Sequence, residues 1–170
     1  MRIDVFTLFP EAFDWFRGQR HVSNALAQGH ELETVDPRAT TPLKWGQVDD
    51  TPFGGGAGMV LRVDVMEAAL RARYGEDPVQ LREHRRVIAL TPGGRLLDDA
   101  LASELAAEPA LTLLCGRYEG FDQRIVDHFC TDEVSIGRYV LAGGELAAMV
   151  VLDTVPETVR GLVTEGSEAG

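Results

Sequence analysis

The stretch 111–152, LTLLCGRYEGFDQRIVDHFCTDEVSIGRYVLAGGELAAMVVL, constrains the fold more than any other part of the chain. Its opening apolar run, 111–115, has the length of a buried strand, and Gly116 ends it. Arg117, Tyr118, Glu119 and Gly120 follow as a polar turn. A second β-rich piece, 133–136, stops at Gly137, and a third, 139–141, stops at Gly143 and Gly144. An apolar helix then starts at Glu145. Glycine in such turns tolerates positive φ and lets a ligand approach main-chain N–H groups closely. Ligands of open α/β sheets bind beyond the carboxyl ends of the strands. The pattern therefore predicts a pocket lined by backbone.

The remaining chain supplies strands and helices in alternation. Residues 2–8 alternate as a first strand, with Ile3, Val5 and Thr7 on one face. Pro10 is placed to open a helix over 11–16, where Phe13 and Phe16 share a core-facing side. A helix over 22–28 ends at Gly29, a strand covers 31–35, and 37–47 reads as loop. Asp64 is the expected cap of a helix running to Tyr74. The polar segment 75–84 is expected to be exposed, and Arg82, Arg85 and Arg86 to form a solvated face. A buried strand over 86–90 ends in Thr91-Pro92-Gly93-Gly94, and Asp98 starts a helix to about Ala107. Residues 121–129 are helical in pattern, and the last helix runs from Glu145 towards Val155, where Pro156 interrupts it. This order predicts one α/β domain with a mostly parallel sheet flanked by helices.

Composition narrows the function. At 170 residues, 45% hydrophobic and 25% charged, the chain is an ordinary globular domain. No apolar run approaches the roughly 20 residues that span a bilayer. The N-terminus lacks the apolar core and cleavage site of a signal peptide, which makes the cytoplasm the expected compartment and a membrane partner unexpected. Cys115 and Cys130 fit free buried thiols and form no CxxC pair. A net charge of −11 argues against a broad nonspecific nucleic-acid surface. Lys44, the sole lysine, follows Leu43 and so cannot be a P-loop lysine. His21, His30, His84 and His128 show no ligand spacing, no metal-ligating set emerges, and no GxSxG elbow is present.

The glycine-rich loops carry the candidate chemistry. VDDTPFGGGAGMVL, 48–61, reads either as a surface loop or as a mobile loop over a substrate or cofactor. It lacks the GxGxxG spacing of a dinucleotide fingerprint. The turns 91–94, 116–120 and 137–144 each follow a strand and together mark one pocket. Tyr118 and Tyr139 are candidate aromatic walls or half-buried core aromatics. Glu119 is a candidate contact for a cationic group or metal, or a solvated turn carboxylate.

VDDTPFGGGAGM, LTPGGRLLD, LLCGRYEGFDQRI and SIGRYVLAGGELAAMVVLD together resemble the bacterial tRNA (guanine-37-N1)-methyltransferases of the SPOUT superfamily, over nearly the whole chain. The resemblance implies a homodimeric α/β domain with a C-terminal trefoil knot. It implies S-adenosylmethionine held by Leu90, Thr91, Pro92, Gly94, Gly116, Tyr118, Glu119, Ile136, Gly137, Arg138, Tyr139, Val140, Leu141, Gly143 and Gly144. It also implies methyl transfer to N1 of guanosine 37 in tRNA carrying guanosine at 36 and 37, with magnesium. Asp50, Gly55 and Gly58 fall in the substrate loop.

The chain departs from the family pattern at several points. Arg138 stands where the family has Asp, Phe53 where it has Tyr, and Glu157 where it has a catalytic Arg, with Arg160 three residues on. The family's catalytic Asp aligns just past Gly170, which leaves Glu119 as the candidate base within the chain. The expected organisation is a cofactor-binding domain over 1–160 and the start of a linker over 161–170, without the C-terminal tRNA-gripping domain. Two other classes remain in view. One is a cofactor-binding and dimerisation module without turnover. The other is a nucleotide-dependent oxidoreductase, disfavoured by the absent fingerprint.

Overall fold

The computed structural model describes residues 1–50, 60–117 and 120–155, with side chains of Asp49 and Asp50 excepted. Tyr118, Glu119, Gly55, Gly58, Phe53, Glu157 and Arg160 lie outside the described residues.

Five strands make the main sheet: β1 Arg2–Phe6, β2 Glu31–Val35, β5 Arg86–Leu96, β6 Ala110–Cys115 and β7 Asp132–Ser135. Their order is β2-β1-β6-β5-β7 and every pair is parallel. Parallel neighbours need crossovers, and helices supply them. α1 Ala12–Arg17 and α2 Arg20–Ala27 link β1 to β2. α3 Val63–Tyr74 and α4 Pro78–Leu81 precede β5, α5 Asp99–Ala106 precedes β6, and α6 Gln123–Phe129 precedes β7. α7 Glu145–Thr154 follows, while β3 Asp49–Asp50 and β4 Val60–Leu61 form a separate antiparallel ribbon.

Both faces of the sheet are covered. On one, Ile3, Val5, Ile88 and Leu113 pack with Phe13 and Phe16 of α1, Leu101 and Leu105 of α5, and Ala148 and Val151 of α7. On the other, Phe6, Val87, Ala89 and Leu114 meet Met66 and Leu70 of α3, Leu81 of α4 and Ile125 of α6. The period of 2 along β1 divides its residues between these two cores. The expected α/β class and the core role of Phe13 and Phe16 hold.

Several expectations change. The strand at 86–90 does not end at Thr91. Leu90 and Arg95 both register with Val134, so Thr91–Gly94 bulges off the ladder and β5 resumes to Leu96. Residues 139–141 form no strand, and Tyr139 and Val140 are exposed. Asp64 sits in the first turn of α3, where Arg62 is the cap residue and pairs with Asp64 at 3.0 Å. The segment 75–84 holds α4, capped by Asp77, with Pro78 and Leu81 buried.

The arginines are no solvated face. Arg85 reaches Thr112 at 2.6 Å and buried Asp4 at 3.1 Å, and Arg86 grips Asp132 with two bonds of 2.7 and 2.9 Å. Burial of Asp132 opposes its ionisation, but the Arg86 and Thr131 hydrogen bonds outweigh it and hold its carboxyl below the usual range. A depressed folded pKa means that the unfolded chain takes up the proton first. The pair's contribution to stability is complete above the unfolded value, about 4, and is lost as pH falls through the folded one. Urea midpoints are therefore expected to drop on acidification below about pH 5, and Asp132→Asn to drop less. Parallel pH curves for the two proteins would contradict this role.

Candidate functional site

All five strands point the same way, so the segments after β1, β2, β6 and β7 and the bulge in β5 gather at one end. There a cleft opens to solvent. Its walls are the β5 bulge (Leu90, Thr91, Pro92), the turn after β6 (Gly116, Arg117, Gly120) and the segment between β7 and α7 (Ile136, Gly137, Tyr139, Leu141, Gly143, Gly144). Val134, Ser135 and Ala147 complete it.

Each wall has a local cause. The bulge frees main-chain groups of Thr91–Gly94 from the β7 ladder, and Thr91 Oγ1 donates to Glu133 Oε2 at 2.9 Å. The turn after β6 closes through Gly120 N donating to Arg117 O at 2.6 Å, with Gly120 at φ 81°, a conformation that glycine adopts without penalty. After β7, Ser135 Oγ donates to Gly137 O at 2.7 Å, and the Tyr139 ring lies where a Gly137 side chain would be, 2.2 Å from that Cβ position. The last two walls meet: Gly144 N donates to Gly116 O at 3.0 Å, and Arg117 bridges Gly143.

Gly144 has an ordinary φ of −83°, so its value is space. A Cβ there would stand 2.9 Å from Cys115 Cα and 3.2 Å from Gly116 N. Gly94 also serves packing: its Cβ would fall 2.5 Å from the Glu133–Val134 peptide, and it does not line the cleft. Arg138 and Val140 do not line it either, and Val140 is 74% exposed. Asp50 ends β3, in the ribbon that joins this region through Leu61 N, which donates to Gly120 O at 3.2 Å. The structure thus brings together Leu90, Thr91, Pro92, Gly116, Ile136, Gly137, Tyr139, Leu141, Gly143 and Gly144 as expected, and leaves out Gly94, Arg138 and Val140.

Sequence reasoning passed over Arg117 and Glu145. The Arg117 guanidinium stacks on Phe9, 4.4 Å from its ring centre. Glu145, the first residue of α7, is buried; Oε1 accepts from Thr7 Oγ1 at 3.2 Å, and Oε2 is buried without a hydrogen-bond partner. The one signal was an acid placed between a glycine pair and an apolar helix. Cys115, beneath Gly144, is no nucleophile: burial first, then the Glu145 charge, pushes its thiol well up. Burial likewise pushes Cys130 up to about 12. Both cysteines are free and buried, as expected.

The cleft is therefore built to bind and orient by apolar walls and main-chain groups, with no activated nucleophile among its described residues. Among the described residues no group of three His, Cys, Asp or Glu converges as a metal site, and no helix is long and apolar enough to cross a membrane.

The sequence matches a family model described as tRNA (Guanine-1)-methyltransferase TrmD over residues 1–169. It is 49% identical to a Rhodospirillum rubrum protein named tRNA (guanine-N(1)-)-methyltransferase, over 96% of this chain and 66% of that protein. Proteins of the same name from Brevibacillus brevis and Aromatoleum aromaticum are 48% and 44% identical, over 91% and 99% of this chain and 62% and 64% of their own. The chain spans slightly less than two thirds of the length of these curated relatives. With a match this long and identities this high, the chain belongs to the tRNA (Guanine-1)-methyltransferase TrmD family.

Proposed function

We propose that the chain binds S-adenosylmethionine in the cleft and directs its methyl group to N1 of guanosine 37 in tRNA carrying guanosine at 36 and 37. The observation that carries this is the cleft itself. Three main-chain walls meet on Gly116, Gly143 and Gly144, with apolar sides from Leu90, Ile136 and Leu141. Such a site suits a flat heteroaromatic ring recognised along its edge by backbone groups, and the family names in the relatives supply the chemistry.

S-adenosylmethionine brings an activated methyl group. The chain's own contribution is to hold and orient: the bulge at Thr91–Gly94 offers main-chain donors and acceptors, and Leu90, Ile136 and Leu141 supply apolar walls. Positioning of this kind supplies a large part of a rate enhancement. Removal of the N1 proton falls to a carboxylate. Glu119 is our candidate within the chain, because in the sequence it falls between Arg117 and Gly120, both of which line the cleft. Magnesium is assigned no step, since the described residues gather no metal-binding set. We further propose the trefoil knot of the family, a cofactor domain over 1–160 with a linker from 161, and action in the cytoplasm.

We also propose that the working unit is a homodimer. Leu146 and Val150 lie four apart on α7 and are 63% and 38% exposed, and neighbouring α1 exposes Trp15 at 67%. A large aromatic beside an apolar helix stripe marks a surface that a partner covers. Sedimentation is expected to give twice 18.6 kDa, and a monomer at micromolar concentration would contradict the dimer.

Calorimetry tests the cofactor assignment. S-adenosylmethionine is expected to bind and NAD not to. Binding of NAD alone would return the chain to the oxidoreductase reading.

A further inference from the structure

Trp45 is 99% exposed, more than any other large apolar residue described. It is also the one described non-glycine residue with positive φ, at φ 64° and ψ 25°. A tryptophan in the left-handed region is strained, and one lying wholly in water recovers nothing from packing. Strain of this kind is stored where a side chain must be presented in one direction.

The turn that presents it is held. Thr41 Oγ1 donates to Gln47 O at 2.6 Å and accepts from Leu43 N at 3.2 Å, while Gln47 N closes on Lys44 O at 3.2 Å. Upstream, Arg38 Nη2 donates to Leu8 O at 2.6 Å, tying the segment to the loop that carries Phe9. The segment leaves the carboxyl end of β2, the same end of the sheet as the cleft, and β2 lies two strands from β6, about 10 Å away. Three residues beyond Trp45, Val48 O accepts from Arg62 N at 3.0 Å in the ribbon that contacts Gly120.

Charge decides what such a residue meets. The chain carries −11, and Lys44 is its sole lysine. A polyanion held by this surface gains little from phosphate contacts and must be held by something else. Aromatic stacking on an unpaired base is the alternative that needs no cation, and it tolerates any base. Lys44, the preceding residue in the chain, supplies one cation for a phosphate contact.

We infer that Trp45 is a stacking platform for an unpaired base of the RNA substrate, neighbouring the base taken into the cleft. This rests on the methyltransferase reading and adds a positioning residue to it. Trp45 stays clear of the chemistry and acts through the register of the RNA.

The test titrates the chain, saturated with S-adenosylmethionine, with an RNA hairpin carrying the two guanosines. The proteins compared are the parent, Trp45→Ala, Trp45→Phe and Trp45→Gly. RNA is expected to quench tryptophan fluorescence in the parent, with the quench lost in Trp45→Phe. RNA affinity is expected to fall about tenfold to a hundredfold in Trp45→Ala and Trp45→Gly, and far less in Trp45→Phe. The loss is expected to persist at raised salt, unlike a lost phosphate contact. Trp45→Gly, which relaxes the backbone, is expected to melt no lower than the parent, whereas a merely structural tryptophan would lower both melting temperature and cofactor affinity.

RNA binding with parental affinity in Trp45→Ala would overturn the inference and leave the methyltransferase reading standing. Fluorescence that follows protein concentration and ignores RNA would assign Trp45 to a contact between copies and overturn it too. Cofactor binding without any RNA binding by the parent would also overturn it. A parent that binds neither cofactor nor RNA would remove the reading and the inference together.

Discussion

Gly144→Val is expected to weaken S-adenosylmethionine binding by at least about a hundredfold. A β-branched side chain has no room at this position. Its Cβ alone would stand 2.9 Å from Cys115 Cα, and its methyl groups would have to enter either the backbone of the turn after β6 or the cleft. Moving away from Cys115 breaks the bond between Gly144 N and Gly116 O, which joins two of the cleft's walls. Overpacking of this kind also lowers stability, by about 1–3 kcal/mol, so the fold is not spared. The two effects separate by calorimetry and urea unfolding on the same sample. Parental cofactor affinity in the folded variant would show that the cleft is not the cofactor site.

Asp4→Ala is expected to destabilise the fold by about 3–5 kcal/mol, the cost of leaving a buried partner charge uncompensated. Asp4 lies inside β1 with its side chain 8% exposed, pairing with Arg73 at 2.8 Å and with Arg85 at 3.1 Å. Tyr74 donates to it at 2.6 Å; burial first, and then this bond, raises the tyrosine pKa. Without the carboxylate, Arg85 keeps Thr112 and the Leu111 carbonyl but loses its counter-charge. None of Asp4, Arg73 and Arg85 lines the cleft, so the folded fraction is expected to keep its cofactor affinity. Urea midpoints shifted by less than about 1 kcal/mol would show that the network behaves as an exposed ion pair. The contrast with Gly144→Val is the useful part: one variant loses stability and keeps the ligand, the other mainly loses the ligand.

These two residues also mark what the sequence could and could not disclose. The strand 111–115 was legible because an apolar run ended by glycine specifies a buried strand, and Asp98 was legible as a cap, its carboxylate accepting from Leu101 N at 2.8 Å. The cleft's glycines were legible because each interrupts a β-rich run. Asp4 gave no sign, since its partners sit 69 and 81 residues away. For the same reason Arg85 and Arg86 read as surface charges. Tyr139–Val140–Leu141 has strand propensity, but no neighbouring strand offers it a ladder, and tertiary context overrides propensity. The bulge at Thr91–Gly94 looked like a strand end because nothing local shows that β7 continues beside Arg95 and Leu96. The methyltransferase family was legible only from the combined motifs, and the match over 1–169 bears it out.

Where the methyl group goes decides the function. The direct measurement is single-turnover transfer of labelled methyl from S-adenosylmethionine to tRNA, followed by nucleoside analysis of the product. Slow but site-specific transfer is expected, giving N1-methylguanosine at position 37 of tRNA with guanosine at 36 and 37, and none when 37 is adenosine. Label at another nucleotide or another ring atom would contradict it, and so would bound S-adenosylmethionine with no transfer at all, the behaviour of a cofactor-binding module without turnover.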